Sequence, residues 1–159
     1  MRSRAGSRTV RTTPPRWSND GKTLAFLRAT EKDGKPQPAQ IWLLPLSGSE
    51  PRALTSLTRA IDSIAWSSSG NTIAFTASTK PEDLKEEKKK DDEHESDVRV
   101  INQAVYRANG MGYRDPTRAT HIWIIDVPAG DDNPKPKQLT TGEFSEDDVT
   151  WSPDGSRIY

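Results

Sequence analysis

The 159-residue chain contains no cysteine, so it can form neither disulfide bonds nor thiolate metal sites. Its apolar runs fall far short of the length that crosses a membrane. It also has no excess of either charge, because Lys plus Arg and Asp plus Glu number 23 each. Without an overall electrostatic field, we expect neither nucleic acid nor a membrane surface as a partner. The absence of cysteine leaves the cellular compartment open.

Hydrophobic residues are scarce, at 31% of the chain, and two polar segments account for part of this. The first, residues 1–13, contains four arginines and no acid but lacks the apolar stretch of a signal peptide. We interpret it as a disordered basic tail, in preference to a transit peptide or a nucleic-acid-binding arm. We therefore expect a cytoplasmic protein, or a periplasmic or secreted one if a signal peptide precedes Met1.

The second polar segment is a charged insertion at 79–98. Of the 18 residues from 80 to 97, 14 are charged, and both signs are present. Such a stretch cannot bury enough apolar surface to offset the entropy lost on ordering, so we expect disorder or at most a solvated helix. His94 lies there between two glutamates, but no second ligand stands at helical or hairpin spacing. We expect no metal site and no cofactor.

One phrase occurs three times in the chain. It reads WSNDGKTLAF at 17–26, WSSSGNTIAF at 66–75 and WSPDGSRIY at 151–159. Each copy places Trp-Ser before a tight turn that ends on glycine, and the turn leads into an apolar strand. Glycine adopts the positive φ that closes such a turn, and Asp or Asn favours its start. The phrase therefore marks a structural repeat.

The spacing of other landmarks follows the phrase. An apolar strand containing Trp42 or Trp123 comes after each of the first two copies, and a Leu-Thr pair comes after that strand. The first unit is 49 residues long (17 to 66) and the second is 85 (66 to 151). Of the 36 extra residues, 32 lie between the apolar strand of the phrase and the Trp123 strand, and 4 lie in the next hairpin. Insertions confined to strand connections are typical of a repeat fold with variable loops.

Four strands per unit of roughly 40 to 50 residues are typical of β-propeller blades. We predict an all-β fold at 14–159, a propeller fragment with blades at 17–65 and 66–150 and a third that begins at 151. A β-sandwich with coincidental tryptophan spacing is the alternative. We assign the repeat aromatics to packing between strands and blades, not to ligand stacking. The structural repeat positions are Trp17, Gly21, Phe26, Trp42, Trp66, Gly70, Phe75, Trp123, Trp151 and Gly155.

A loop rich in glycine, arginine and tyrosine follows the charged insertion. An arginine and tyrosine cluster on a propeller loop suits the binding of a carboxylate or a peptide. The alternative is that its arginines pair with loop acids such as Asp115. Our candidates for side chains that face a substrate chamber are Arg107, Tyr113 and Arg118.

The repeated phrase resembles the propeller repeat shared by TolB-like proteins and the prolyl oligopeptidase family of serine peptidases. The second unit narrows the resemblance, because its charged insertion is followed by DVRVI at 97–101, GMGYRD at 110–115 and HIWIIDV at 121–127. This arrangement is similar to the acylaminoacyl-peptidase and dipeptidyl-aminopeptidase branch. The resemblance covers nearly all of the chain.

The resemblance implies an N-terminal propeller of about seven blades before a C-terminal α/β-hydrolase domain that carries Ser, Asp and His, with the Ser on a G-x-S-x-G elbow. This chain has no G-x-S-x-G, and neither His94 nor His121 is placed to serve a nucleophile, so we expect no catalytic residue within it. The implied partners are the hydrolase domain, the remaining blades and an oligopeptide substrate, to which the propeller gates access. The alternative is a non-catalytic TolB-like propeller that binds proteins.

The third copy of the phrase ends at Tyr159, in the middle of its strand. Two blades and the opening of a third cannot close a ring, and they leave blade faces and a sheet edge uncovered. We therefore expect the isolated chain to be poorly soluble or only partly ordered.

Overall fold

The computed structural model describes residues 13–84, 118–130, 132 and 134–159, and the backbone of 107–108 and 112–113. Residues 1–12 of the expected tail at 1–13, and residues 85–98 of the charged insertion at 79–98, lie outside these residues. The described residues form strands and one 3₁₀ helix (Pro81–Leu84), with no α-helix and no helix that could cross a membrane. The strands are β1 (Arg16–Trp17), β2 (Thr23–Arg28), β3 (Glu31–Lys32), β4 (Lys35–Pro36), β5 (Gln40–Pro45), β6 (Arg52–Ala53), β7 (Ile61–Trp66), β8 (Thr72–Ala77), β9 (Arg107–Ala108), β10 (Gly112–Tyr113), β11 (His121–Asp126) and β12 (Lys137–Gln138).

Eight of these strands form two antiparallel four-stranded sheets. The first sheet has the order β1-β2-β5-β6, and the second has the order β7-β8-β11-β12 in the same sense. Their registers correspond, since Phe26 pairs with Trp42 in the first sheet and Phe75 pairs with Trp123 in the second. Two small hairpins, β3–β4 and β9–β10, extend from the connections before β5 and β11. The predicted all-β class is confirmed, while the number and bounds of the blades stay predictions.

The turn after each Trp-Ser has the same hydrogen bonds in all three copies. The serine amide donates to the carbonyl five residues later, and the glycine amide donates back to the serine carbonyl. The serine hydroxyl accepts the amide N–H of the residue five positions on, at 2.9, 3.2 and 2.9 Å for Ser18, Ser67 and Ser152. The glycine has φ of 67°, 74° and 71°, a backbone conformation that other residues rarely adopt.

The Leu-Thr pair that ends each sheet also has a structural role. The hydroxyl of Thr55 accepts the Ile41 amide at 3.0 Å, and that of Thr140 accepts the Ile122 amide at 2.9 Å. The leucine amide before each threonine donates to the same Ile41 or Ile122 carbonyl at 2.8 Å. These bonds continue the pairing of the central strand beyond the two-residue edge strand.

The main core lies between the two sheets. Ala25, Ile41 and Leu43 on one face of the first sheet pack against a face of the second sheet that includes Phe75 and Trp123, all at most 1% exposed. The rings of Phe75 and Trp123 are stacked, with centroids 6.4 Å apart. The opposite face of the second sheet, with Ala74 and Ile122, is covered by Trp151 and Ile158 of the third copy and by Val149 just before it.

Candidate functional site

The loop that carries the candidate chamber residues leaves the second sheet after β8 and returns at β11. A pair of charged side chains joins its two ends. Arg118 donates two hydrogen bonds to Asp83, from Nη1 to Oδ2 at 2.6 Å and from Nη2 to Oδ1 at 3.3 Å. Because a planar guanidinium that contacts both oxygens fixes orientation as well as distance, this pair holds residues 83 and 118 together across 35 positions of the chain.

The 3₁₀ helix positions Asp83 for this contact. The Asp83 amide donates to the Lys80 carbonyl, and the Asp83 carboxylate accepts the Lys80 amide, both at 3.0 Å. These contacts lie within the first residues of the charged insertion at 79–98. The side chains of Arg118 and Asp83 are only 21% and 18% exposed. The hydrogen bond from Arg118 lowers the pKa of Asp83 below its usual value, helped by the Lys80 amide and opposed by burial.

The other two candidates lie on the β9–β10 hairpin. Tyr113 is directly opposite Arg107, and Gly112 is opposite Ala108. The backbone register therefore pairs these two candidates across the hairpin. Their side chains and Asp115 lie outside the described residues. Whether these two residues and Arg118 face one chamber stays a prediction.

Sequence reasoning did not predict a second polar pair, which lies at the start of β11. His121 Nδ1 lies 3.2 Å from Glu146 Oε2, and the histidine is 8% exposed. The Glu146 amide donates to the Thr120 carbonyl at 2.9 Å, so the pair fastens the start of β11 to the segment before the third copy. His121 has no hydroxyl partner among the hydrogen bonds of the described residues, as a nucleophile–base pair would need. These residues also hold no metal-binding group of three or more acidic, histidine or cysteine side chains.

No protein-family model matches the chain, but comparisons with single proteins agree with this architecture. It is similar to the uncharacterized peptidase YuxL of Bacillus subtilis (strain 168), with 29% identity over 145 residues. That match covers 91% of this chain but only 21% of the peptidase, so the chain spans about a fifth of the relative's length.

Among solved structures, the chain is similar to a putative TolB from Agrobacterium tumefaciens, with a TM-score of 0.52 and 24% identity. The match covers 90% of this chain and 35% of that structure, and at this identity it shows the fold alone. Together with the two sheets, the comparisons identify the chain as an all-β, TolB-like propeller fold that resembles one segment of a peptidase.

Proposed function

We propose that the chain is the propeller segment of a serine peptidase that acts on short peptides, of the acylaminoacyl-peptidase or dipeptidyl-aminopeptidase type. The observation that carries this proposal is the similarity to a peptidase along 91% of the chain. The chain has no G-x-S-x-G, so the nucleophile would belong to a part of the protein outside these 159 residues. The segment would then contribute selection of the substrate and not the chemistry.

The loop between β8 and β11 is the part of the segment best suited to this role. Its arginine and tyrosine residues match what a peptide carboxylate or amide requires, and the hairpin register places Arg107 opposite Tyr113. Arg118 already engages Asp83, which supports a positioning role for Arg118 at the base of the insertion. In this proposal, Arg107 and Tyr113 contact the peptide and the Asp83–Arg118 pair holds their loop in place.

The proposal is tested with an active-site probe. The complete coding region that contains this segment is expressed, and the protein is treated with a fluorophosphonate that labels activated serine. We expect covalent labelling outside residues 1–159, and loss of labelling when the serine of a G-x-S-x-G elbow is replaced by alanine. A complete protein without labelling and without hydrolysis of any N-blocked or free dipeptide substrate would contradict a peptidase.

A second candidate is a non-catalytic TolB-like propeller that binds proteins. The observation that favours it is the structural similarity to a TolB protein. In this alternative the propeller acts by itself as a binding module, with no hydrolase domain. The same probe experiment separates the two candidates, because the binding module predicts no labelling.

The chamber residues are tested in the active protein by Arg107→Ala, with Arg16→Ala as a control that removes an exposed arginine from the first sheet. We expect kcat/KM to fall for peptides with Arg107→Ala and to stay unchanged with Arg16→Ala. An unchanged kcat/KM for every peptide tested would remove Arg107 from the site.

A further inference from the structure

Three segments of the chain meet at one edge of the second sheet. The registers place Ile61, Ala77 and His121 side by side, where β7 begins, β8 ends and β11 begins. The segment that leads into β7 therefore lies beside both ends of the loop between β8 and β11, which carries the candidate chamber residues. Arg59 stands in this segment, two residues before β7.

The backbone on both sides of Arg59 is held in place. Gln40 Nε2 donates to the carbonyls of Leu57 and Arg59 at 3.1 and 3.2 Å, and Gln40 Oε1 accepts the Leu57 amide at 2.7 Å. On the other side, the Ile61 amide donates to the Ala39 carbonyl at 3.0 Å. The Arg59 side chain is exposed, and its guanidinium forms no ion pair with a described residue. An anchored backbone lowers the entropy cost at which such a side chain binds a ligand.

The loop before the third copy has the same construction. The Glu146 amide donates to the Thr120 carbonyl at 2.9 Å, which matches the backbone bond beside Arg59. Counted from the Leu-Thr pair, Phe144 has the position of Arg59. Phe144 is 88% exposed. Both units therefore hold this loop by its backbone and present one large side chain to solvent, so packing within the described residues does not explain the choice of side chain.

Arg59 adds a positive charge to an edge where the Asp83 carboxylate is already satisfied. Both oxygens of Asp83 accept hydrogen bonds from Arg118, and Oδ2 also accepts the Lys80 amide. The Arg118 hydrogen bond is the main reason that the pKa of Asp83 is lowered, and the charge of Arg59 makes a smaller contribution. The Lys80 ammonium, like Arg59, forms no ion pair with a described residue. These two cations are left to attract a further anion.

The charges of the two loops differ. Glu143, Asp147 and Asp148 flank Phe144 in the sequence, and all three are exposed. Because like charges repel, an anionic group is disfavoured at Phe144 and favoured at Arg59. A carboxylate matches the planar guanidinium with two parallel hydrogen bonds, and peptides carry carboxylates at their C terminus and on acidic side chains.

We propose that Arg59 binds a carboxylate of the peptide substrate and is a specificity-determining residue. The Arg59 guanidinium stands at the same sheet edge as the Asp83–Arg118 pair and the start of the chamber loop. This inference rests on the proposed peptidase function and adds a class of substrate, short peptides that carry a carboxylate. Arg59 selects the substrate and takes no part in the chemical step.

The test uses the complete protein and four peptides that differ only in their carboxylates. One peptide sequence is prepared as the free acid and as the C-terminal amide, each with either glutamate or glutamine at one internal position. For the peptides with the carboxylate that it binds, we expect Arg59→Gln to lower kcat/KM about tenfold through KM, as for loss of one hydrogen bond to a charged group. The peptide with neither carboxylate should be cleaved as before. The pair of peptides that responds identifies the terminal or the side-chain carboxylate.

Two further variants separate recognition from a structural effect. Arg59→Lys keeps the charge but not the planar fork, so it should restore part of the preference for a carboxylate. Arg157→Gln is the matched control, because it removes an exposed arginine next to the turn of the third copy, at the other end of the strands. It should leave kcat/KM unchanged for all four peptides.

The outcomes distinguish this inference from the proposed function. If a fluorophosphonate labels the complete protein and Arg59→Gln changes kcat/KM equally for all four peptides, or for none, the peptidase proposal stands and the role of Arg59 is overturned. If no labelling occurs, the peptidase proposal fails, and calorimetric binding of the same peptides to the complete protein decides the role of Arg59. A preference for a carboxylate that Arg59→Gln abolishes would support it, and equal binding of all four peptides would overturn it.

Discussion

At the scale of single residues, a serine hydroxyl organises each turn. Ser18 donates to Asp20 at 2.7 Å, Ser152 donates to Asp154 at 2.5 Å, and Ser67 shares a 3.0 Å hydrogen bond with Ser69. The side chain two residues after each serine therefore orients the serine hydroxyl. That hydroxyl in turn accepts the amide N–H at the start of the following strand. Aspartate strengthens this arrangement because a charged acceptor forms the stronger hydrogen bond.

The first prediction concerns pH. The pKa of Asp154 is lowered from 3.8 to about 2, mainly by the Ser152 hydroxyl and then by the Ser156 amide and hydroxyl. Because the folded pKa lies below the unfolded one, this stabilisation is complete above pH 3.8 and is lost as the pH falls towards 2. The free energy of unfolding is measured with urea at a series of pH values. Asp154→Ser should make its decrease between pH 3.8 and about 2 less steep. Asp132→Ser, which removes the same charge at an exposed site, should leave the slope as it is.

The second prediction compares two turn glycines with similar φ. Gly21 has open space around an added Cβ, whereas a Cβ at Gly155 would clash with Ser68 Oγ in the second turn. Both Gly→Ala variants should lower the free energy of unfolding by about 1–2 kcal/mol because of the left-handed backbone, and Gly155→Ala should lower it slightly more because the Ser68 hydroxyl has to rotate away. Adding Ser68→Ala should remove the excess at Gly155. Equal costs for the two single variants in denaturant unfolding would contradict the contact between turns.

At the scale of elements, repetition explains what the sequence predicts well. The turns, the paired aromatics and the Leu-Thr ends recur at matched spacing, so the all-β class follows from the phrase. The contact between Asp83 and Arg118 could not be predicted in this way, because its partners lie 35 residues apart in an insertion that has no counterpart in the first unit. The 3₁₀ helix at 81–84 could not be located for a related reason, since charge content alone does not reveal a short helix whose aspartate accepts the Lys80 amide.

The third prediction tests this ion pair. Asp83→Asn removes the carboxylate that Arg118 binds, and Glu82→Gln is the control because it removes the same charge from an exposed neighbour. We expect Asp83→Asn to lower the free energy of unfolding by about 1–2 kcal/mol, since a charged hydrogen bond of a partly exposed pair is lost. Glu82→Gln should change it by less than about 0.5 kcal/mol. Equal effects of the two variants would show that the pair does not anchor the insertion.

At the scale of the whole molecule, the chain has an all-β, TolB-like propeller fold that resembles one segment of a peptidase, and selection of substrates is the role that we propose for it. The two sheets and the third copy form a stack in which each aromatic face is covered by its predecessor, except the outer face of the first sheet. His121 contacts Glu146 across 25 positions of the chain. The position of the proposed chamber could not be predicted from this sequence, because such a chamber would be formed by several blades and not by one loop.

The central claim is best tested by the substrate selectivity of the complete protein. One peptide sequence is offered free and within a loop of a stable folded domain, and cleavage is followed by mass spectrometry. The account predicts that the free peptide is cleaved and the folded substrate stays intact, because the proposed gating propeller would admit only short or flexible chains. Cleavage of both substrates at the same rate, or of neither, would contradict it.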